Sequence, residues 1–273
     1  MPAVAETRVA RPPDEPVWGS AVVDPHSKDL PALKMSYLLE HLPERGKVLE
    51  IGCGEGKILK TIARFKPKLE LHGSDVRPPQ STPDTFAFHS LEAQSRLRNG
   101  TFDIVLLVDV LEHVRDPNQM LKDARRLLRP AGTLLAFIPV EGEPLSFYAA
   151  YRRLFGNDLY VTTKDHVQAF THAGLVELVT RHFEIVDLKY AYHALGQFMD
   201  ASFFAATRLG ALRRFWWKEN VYYNPDERQA GLLSKALNRC LEMGNWVAWL
   251  ESTALTRVRA GAAGVLLCAR GRA

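Results

Sequence analysis

VLEIGCGEGK, residues 48–57, decides the fold. Residues 47–51 form a short apolar strand, and Lys57 to Phe65 carry the spacing of a helix. Between them glycines alternate at 52, 54 and 56. Glycine has no Cβ, so the main chain there can turn tightly and approach a ligand closely. A G-x-G pattern alone is weak, but strand before and helix after supply the context that gives it meaning. The next strand, 69–74, stops at Asp75, where a carboxylate can accept hydroxyl hydrogens from a ribose. A dinucleotide fingerprint would need a further glycine at 57, and the chain has Lys57. Glu50, just before the loop, is a poor neighbour for a pyrophosphate and a reasonable one for a cationic amino acid. The loop therefore favours an adenosyl amino acid over a dinucleotide.

Outward from the loop, strands and helices alternate. Pro31 opens a helix to Leu42, with Leu33, Tyr37, Leu38 and His41 as its spaced face. Short strands are expected at 85–89, 102–108, 133–138, 183–190 and 264–270. FDIVLLV at 102–108 is apolar throughout, as a strand covered on both faces of a parallel sheet would be. Helices are expected from Asn118 to Leu128 and from Lys164 to Ala173. The pattern predicts an α/β fold: a Rossmann-like, doubly wound, mostly parallel seven-stranded sheet with a helical cap inserted before the last strand. The expected divisions are a proline-broken arm at 1–30, a core at 31–190, the cap at 191–261 and a final core strand at 262–273.

Bulk properties bound the function. The chain has 273 residues, 47% hydrophobic and 24% charged, which suits one large globular unit. A net charge of +4 is too small to suggest nucleic acid. Cys53, Cys240 and Cys268 are too sparse for a disulfide framework or a zinc site, and point to a reducing, cytoplasmic setting. No apolar run is long enough for a transmembrane helix, and the first residues do not read as a secretory signal. His166 and His172 are six apart, off one helical face, so no metal cluster is expected.

Taken together, VLEIGCGEGK, GSD at 73–75, FDIVLLVDVLEHV at 102–114 and LRPAGTLLAFIP at 128–139 resemble the class I S-adenosylmethionine-dependent methyltransferases, in particular the small-molecule group containing the quinone-biosynthesis enzymes. The resemblance covers residues 31–190. It implies that Glu50, Gly52, Cys53, Gly54 and Gly56 wrap the methionyl part of S-adenosyl-L-methionine, leaving S-adenosyl-L-homocysteine as product. It implies Asp75 on the ribose and Val76 against adenine. Where many relatives place an aspartate on the adenine amino group, this chain has Ser90, or His89 if the proline-rich turn shifts the alignment. Val108 and Asp109 would lie beside the methionine moiety and the acceptor.

A sulfonium is a good leaving group, so the protein must align, exclude water and sometimes remove a proton. His113, just past the fourth strand, is the candidate base, weighed against a role in shaping the loop. Asp109 is the second candidate. For the acceptor, Phe147, Tyr148, Tyr151 and Arg152 are expected in an aromatic, basic loop after the fifth strand, and His26 can reach the site if the arm folds over. In the cap, the helix from Leu232 to Leu250 presents Leu233, Leu237, Cys240, Gly244 and Val247 as its apolar stripe, leaving Trp246 and Trp249 on the other side. Those tryptophans, with Trp216, Trp217, Tyr222 and Tyr223, suit the roof of an apolar pocket, a dimer contact, packing within the cap, or a peripheral membrane contact.

The expected function is methyl transfer to a small, lipophilic or aromatic acceptor, oxygen slightly ahead of carbon, by a monomer or homodimer. The alternatives are a non-catalytic S-adenosylmethionine-binding protein and an NAD-dependent oxidoreductase.

Overall fold

The computed structural model describes residues 23–79, 83–156, 166–206 and 232–272. Most of the arm, with Trp18, and the cap aromatics Trp216, Trp217, Tyr222 and Tyr223 lie outside these residues. The chain runs α1 (Leu30–His41), β1 (Gly46–Ile51), α2 (Lys57–Phe65), β2 (Leu69–Asp75), β3 (Ala87–Ser90) and α3 (Leu91–Ser95). It continues with β4 (Phe102–Val108), a 3-10 turn (Leu111–His113), α4 (Pro117–Leu127), β5 (Leu128–Pro139) and α5 (Phe147–Phe155). The last elements are α6 (His172–Thr180), β6 (Phe183–Ala191), α7 (Ala194–Ala206), α8 (Leu232–Ala254) and β7 (Gly264–Gly271).

The seven strands form one sheet in the order β3-β2-β1-β4-β5-β7-β6. All neighbours are parallel except β7, which runs antiparallel to both β5 and β6. The central strands are buried on both faces, as the continuous apolar runs required. Leu49, Val105, Leu107, Leu134 and Ala136 pack on one face with α4 and α6 residues such as Leu121 and Leu175. Val48, Ile104, Leu106, Leu135 and Phe137 pack on the other with α1 and α2 residues such as Leu38 and Leu59. Each such side chain contributes roughly 1.5–3 kcal/mol by leaving water.

Strand order reverses between β1 and β4. The crevice beyond their carboxyl ends is where open α/β sheets hold ligands.

Three readings need correction. Residues 147–155 fold as a helix, α5, capped by the Ser146 hydroxyl, which accepts from the Ala149 N–H at 3.1 Å. The helix expected over Lys164–Ala173 instead begins at His172. Thr171 is extended and caps it, its Oγ1 accepting from Gly174 N–H at 3.1 Å. Upstream, the Val167 and Gln168 N–H groups donate to the Glu112 carbonyl at 2.9 and 3.0 Å, so they are not part of a helix. The stripe expected on α8 is also rotated. Cys240 and Val247 are exposed, while Ala248 and Ser252 are fully buried and Gly244 lies against Met199 of α7. Small residues, not the large apolar ones, let these two helices approach.

Candidate functional site

The glycine loop is tied to the sheet by its own backbone. Gly52 and Cys53 N–H both donate to the Ser74 carbonyl, at 2.7 and 3.0 Å. Gly52, Gly54 and Gly56 all have positive φ, 78°, 51° and 77°. A Cβ on Gly56 would stand 2.3 Å from the Phe86 ring, and one on Gly52 would stand 2.5 Å from Val110. Those two glycines are needed by packing. Gly54 differs: a Cβ there meets nothing within 4 Å, so its backbone faces open space. Asp75 closes over this point, its Oδ2 accepting from Gly54 N–H at 2.8 Å and its Oδ1 from Arg77 N–H at 3.0 Å. Next to it Val76 is 74% exposed, a large apolar side chain at the crevice rim.

Glu50 ends β1 beneath the loop and is 3% exposed. The Leu59 backbone amide near the start of α2, where Gly56 has no side chain to cap the helix, favours the charge of Glu50. Its Oε2 is buried with no hydrogen-bond partner. Burial first, and the charge of Asp75 second, push its carboxyl well above the usual range. Cys53 is buried, and burial pushes its thiol up, away from the thiolate a nucleophile needs.

On the adenine side, Ser90 pairs with Asp75 across the β2–β3 ladder and caps α3, its Oγ accepting from Ala93 N–H at 3.2 Å. His89 is turned to His72: the rings stack 5.2 Å apart, with Nε2 of His89 2.9 Å from Nδ1 of His72.

Val108 ends β4, buried, and Asp109 follows in the left-handed region at φ 52°. Asparagine and aspartate tolerate that region better than most residues. The Asp109 carboxylate accepts from Lys34 Nζ at 3.0 and 2.7 Å. Lys34 lies 3.7 Å above the Phe137 ring and 5.4 Å from that of Tyr192. Lys57, the first residue of α2, is half-buried, and burial followed by the Lys34 charge lowers its ammonium. Two cations therefore meet at the crevice.

His113 is exposed and Glu112 beside it is buried, with neither carboxylate oxygen hydrogen-bonded. Burial, then Asp109, pushes the Glu112 carboxyl well up. The extended segment after 165 brings His166 against them: its ring lies edge-on to His113 at 4.8 Å. Donor atoms of Glu112, His113 and His166 lie within 4.8 Å of one another, a gathering that spacing along the chain did not reveal.

The aromatic residues divide. Phe147 stands edge-on to Phe198 of α7, and Tyr151 against Phe155. Tyr148 is buried and its hydroxyl bonds Asp200; burial, then that carboxylate, holds it protonated. Arg152 is exposed. Trp246 is 46% exposed, and Trp249 lies beside Lys28, 5.9 Å from ring centre to Nζ. His26 is edge-on to Phe65, at the end of α2 opposite the glycine loop. Sequence reasoning missed Lys34, the His166 contact and Tyr192, whose φ of 57° is unusual for a bulky residue.

A family model described as a methyltransferase domain matches residues 26–186. The chain belongs to that family, on the class I S-adenosylmethionine-dependent plan. Among curated proteins it is 31% identical over 134 residues to the ubiquinone biosynthesis O-methyltransferase of Xanthomonas oryzae pv. oryzae, covering 43% of this chain and 54% of that one. It is 35% identical over 125 residues to the same-named enzyme of Cereibacter sphaeroides, covering 40% and 47%. The matches thus span about half the length of these curated relatives. Among solved structures it resembles the [4+2]-cyclase SpnF at a TM-score of 0.55 and 19% identity, over 93% of this chain and 86% of that one. A phosphoethanolamine N-methyltransferase of Haemonchus contortus, in complex with S-adenosyl-L-methionine, gives 0.52 and 15% over 89% and 53%. At those identities the likeness is one of fold. Among the described residues no helix is long and apolar enough to cross a membrane.

Proposed function

We propose that this chain transfers a methyl group from S-adenosyl-L-methionine to a small organic acceptor, most readily an oxygen on an aromatic or lipophilic molecule. The observation that carries this reading is the crevice between β1 and β4. There an orphaned buried oxygen of Glu50, the open backbone of Gly54, the Asp75 carboxylate and exposed Val76 converge. These groups fit an adenosyl amino acid: Asp75 for ribose hydroxyls, Val76 for a flat apolar ring, Glu50 for positive charge, with Ser90 at the adenine edge. His89, engaged with His72, is the weaker candidate there. Main chain at Gly52, Cys53 and Val108 borders the methionyl part, and Lys34 and Lys57 suit its carboxylate.

When bound, the donor supplies an electrophilic methyl on a sulfonium, so the chain's own residues have three tasks. The glycine loop and Asp75 fix the donor's position. Phe147, Tyr148 and Tyr151 wall the acceptor side and exclude water, with Arg152 at its rim. His113, exposed beyond β4, takes the acceptor's hydroxyl proton, and Asp109 bounds the same space.

The test is transfer of isotopically labelled methyl from S-adenosyl-L-methionine to a panel of catechols and phenols. Wild-type protein should label at least one. His113→Gln should lose about a hundredfold or more in kcat with S-adenosyl-L-homocysteine affinity unchanged. An active His113→Gln variant would remove the base from this reading, and labelling of no acceptor would favour a non-catalytic role.

A further inference from the structure

Behind His113 lies another layer of ionisable groups. Glu141, on the loop after β5, is 3% exposed, and its Oε2 accepts from Nδ1 of His166 at 2.6 Å. A carboxylate can only accept, so Nδ1 carries the hydrogen and the tautomer of His166 is set. His166 is 5% exposed. Its ring stands nearly perpendicular to that of His113, at 86°. Glu112 Oε1 lies 3.9 Å from His113 Nε2. A carboxylate–imidazole pair buried this deeply, and aimed at a third ionisable ring, is more than packing requires.

Charge gives the arrangement a purpose. Burial raises the Glu112 carboxyl, and neither of its oxygens is hydrogen-bonded. Lys34 and Asp109, which face the same space from α1 and the end of β4, cancel each other at 2.7 Å. The buried carboxylate of Glu141, behind the His166 ring, favours a proton arriving on His113.

We propose that Glu141 and His166 are positioning residues for His113: the buried carboxylate, acting through the His166 ring, orients His113 and stabilises the imidazolium formed when the acceptor's proton is taken. This rests on the reading of the site as a methyltransferase with His113 as base. In the step, the acceptor O–H bond breaks and its proton forms an N–H bond on His113. The oxygen's electron pair forms the new bond to carbon, and the pair of the broken carbon–sulfur bond stays on sulfur. The proton then leaves His113 for water, restoring the charge on the cluster.

The experiment is the pH profile of kcat/KM for wild type, Glu141→Gln, Glu141→Asp and His166→Asn, in chelator-containing buffer, with S-adenosyl-L-homocysteine affinity measured in parallel. Glu141→Gln should move the acid limb down by about one pH unit, because the charge favouring the imidazolium is gone. Its plateau should fall tenfold or more, and Glu141→Asp should restore most of both. If Glu141→Gln does not fold, His166→Asn reads the same limb. An unmoved limb, with only the plateau or the melting temperature changed, would overturn the proposal and leave a structural role. Activity lost under chelator and regained with zinc or magnesium would overturn it in favour of a bound cation. An active His113→Gln variant would instead refute the base assignment on which it rests.

Discussion

Glu50 is one side chain with two tasks. It lies near the Leu59 amide at the start of α2, and its Oε2 is orphaned below the glycine loop. An unpaired buried carboxylate destabilises the empty protein, and a cation above it turns that cost into affinity. Its carboxyl is held above the unfolded value of about 4.3. A raised acid favours the folded state below the unfolded pKa, and that benefit is lost as pH rises toward the folded one. Glu50→Gln keeps the shape and removes the charge. Ligand-free Glu50→Gln should therefore melt higher than wild type near pH ~8, with the difference vanishing near pH ~4. Its S-adenosyl-L-homocysteine affinity should fall about tenfold or more. Differential scanning fluorimetry across pH, with calorimetric titration, reads both. Glu50 and the glycines were legible in sequence because one strand and the loop after it hold them, and Asp75 because it ends the next strand. Lys34 was not: its neighbours Asp109, Phe137 and Tyr192 come from strand ends far along the chain.

Elements add a clasp that sequence could not display. Gln197 of α7 is fully buried and makes three hydrogen bonds: it accepts from Phe147 N–H at 2.7 Å and donates to the Tyr192 and Gly261 carbonyls at 2.8 and 2.6 Å. Tyr192 N–H donates to Ser252 of α8, at 3.1 Å. These bonds hold Tyr192 in its left-handed conformation and join α5, α7 and α8 beside the crevice. Gln197→Leu strands the Phe147 N–H and the Gly261 carbonyl at roughly 1–3 kcal/mol each, while the Tyr192 carbonyl keeps the Ala263 N–H at 3.0 Å. It should lower stability by about 2 kcal/mol or more, and raise hydrogen exchange first in α5 and α7. Uniform exchange across the sheet would contradict the clasp. The helix expected at Lys164–Ala173 was misplaced for a related reason. Thr171 is a helix cap, and the chain before it bonds to Glu112, which no local periodicity reveals. On α8 the apolar stripe misled because small residues, Ala248 and Ser252, take the buried positions, and Gly244 lies against Met199.

Across the whole molecule, the sheet was the most legible feature. Continuous apolar runs such as FDIVLLV leave little choice but a strand buried on both faces, and their alternation with helices gives parallel order. The antiparallel insertion of β7 between β5 and β6 was not legible, since pairing partners lie beyond any local signal. That order places the crevice at β1 and β4, and fold alone does not choose its ligand. Isothermal titration of the purified protein with S-adenosyl-L-homocysteine, and separately with NAD, tests the choice most directly. Saturable one-to-one binding of S-adenosyl-L-homocysteine, with none of NAD, is the predicted result. Binding of NAD in its place would contradict the account.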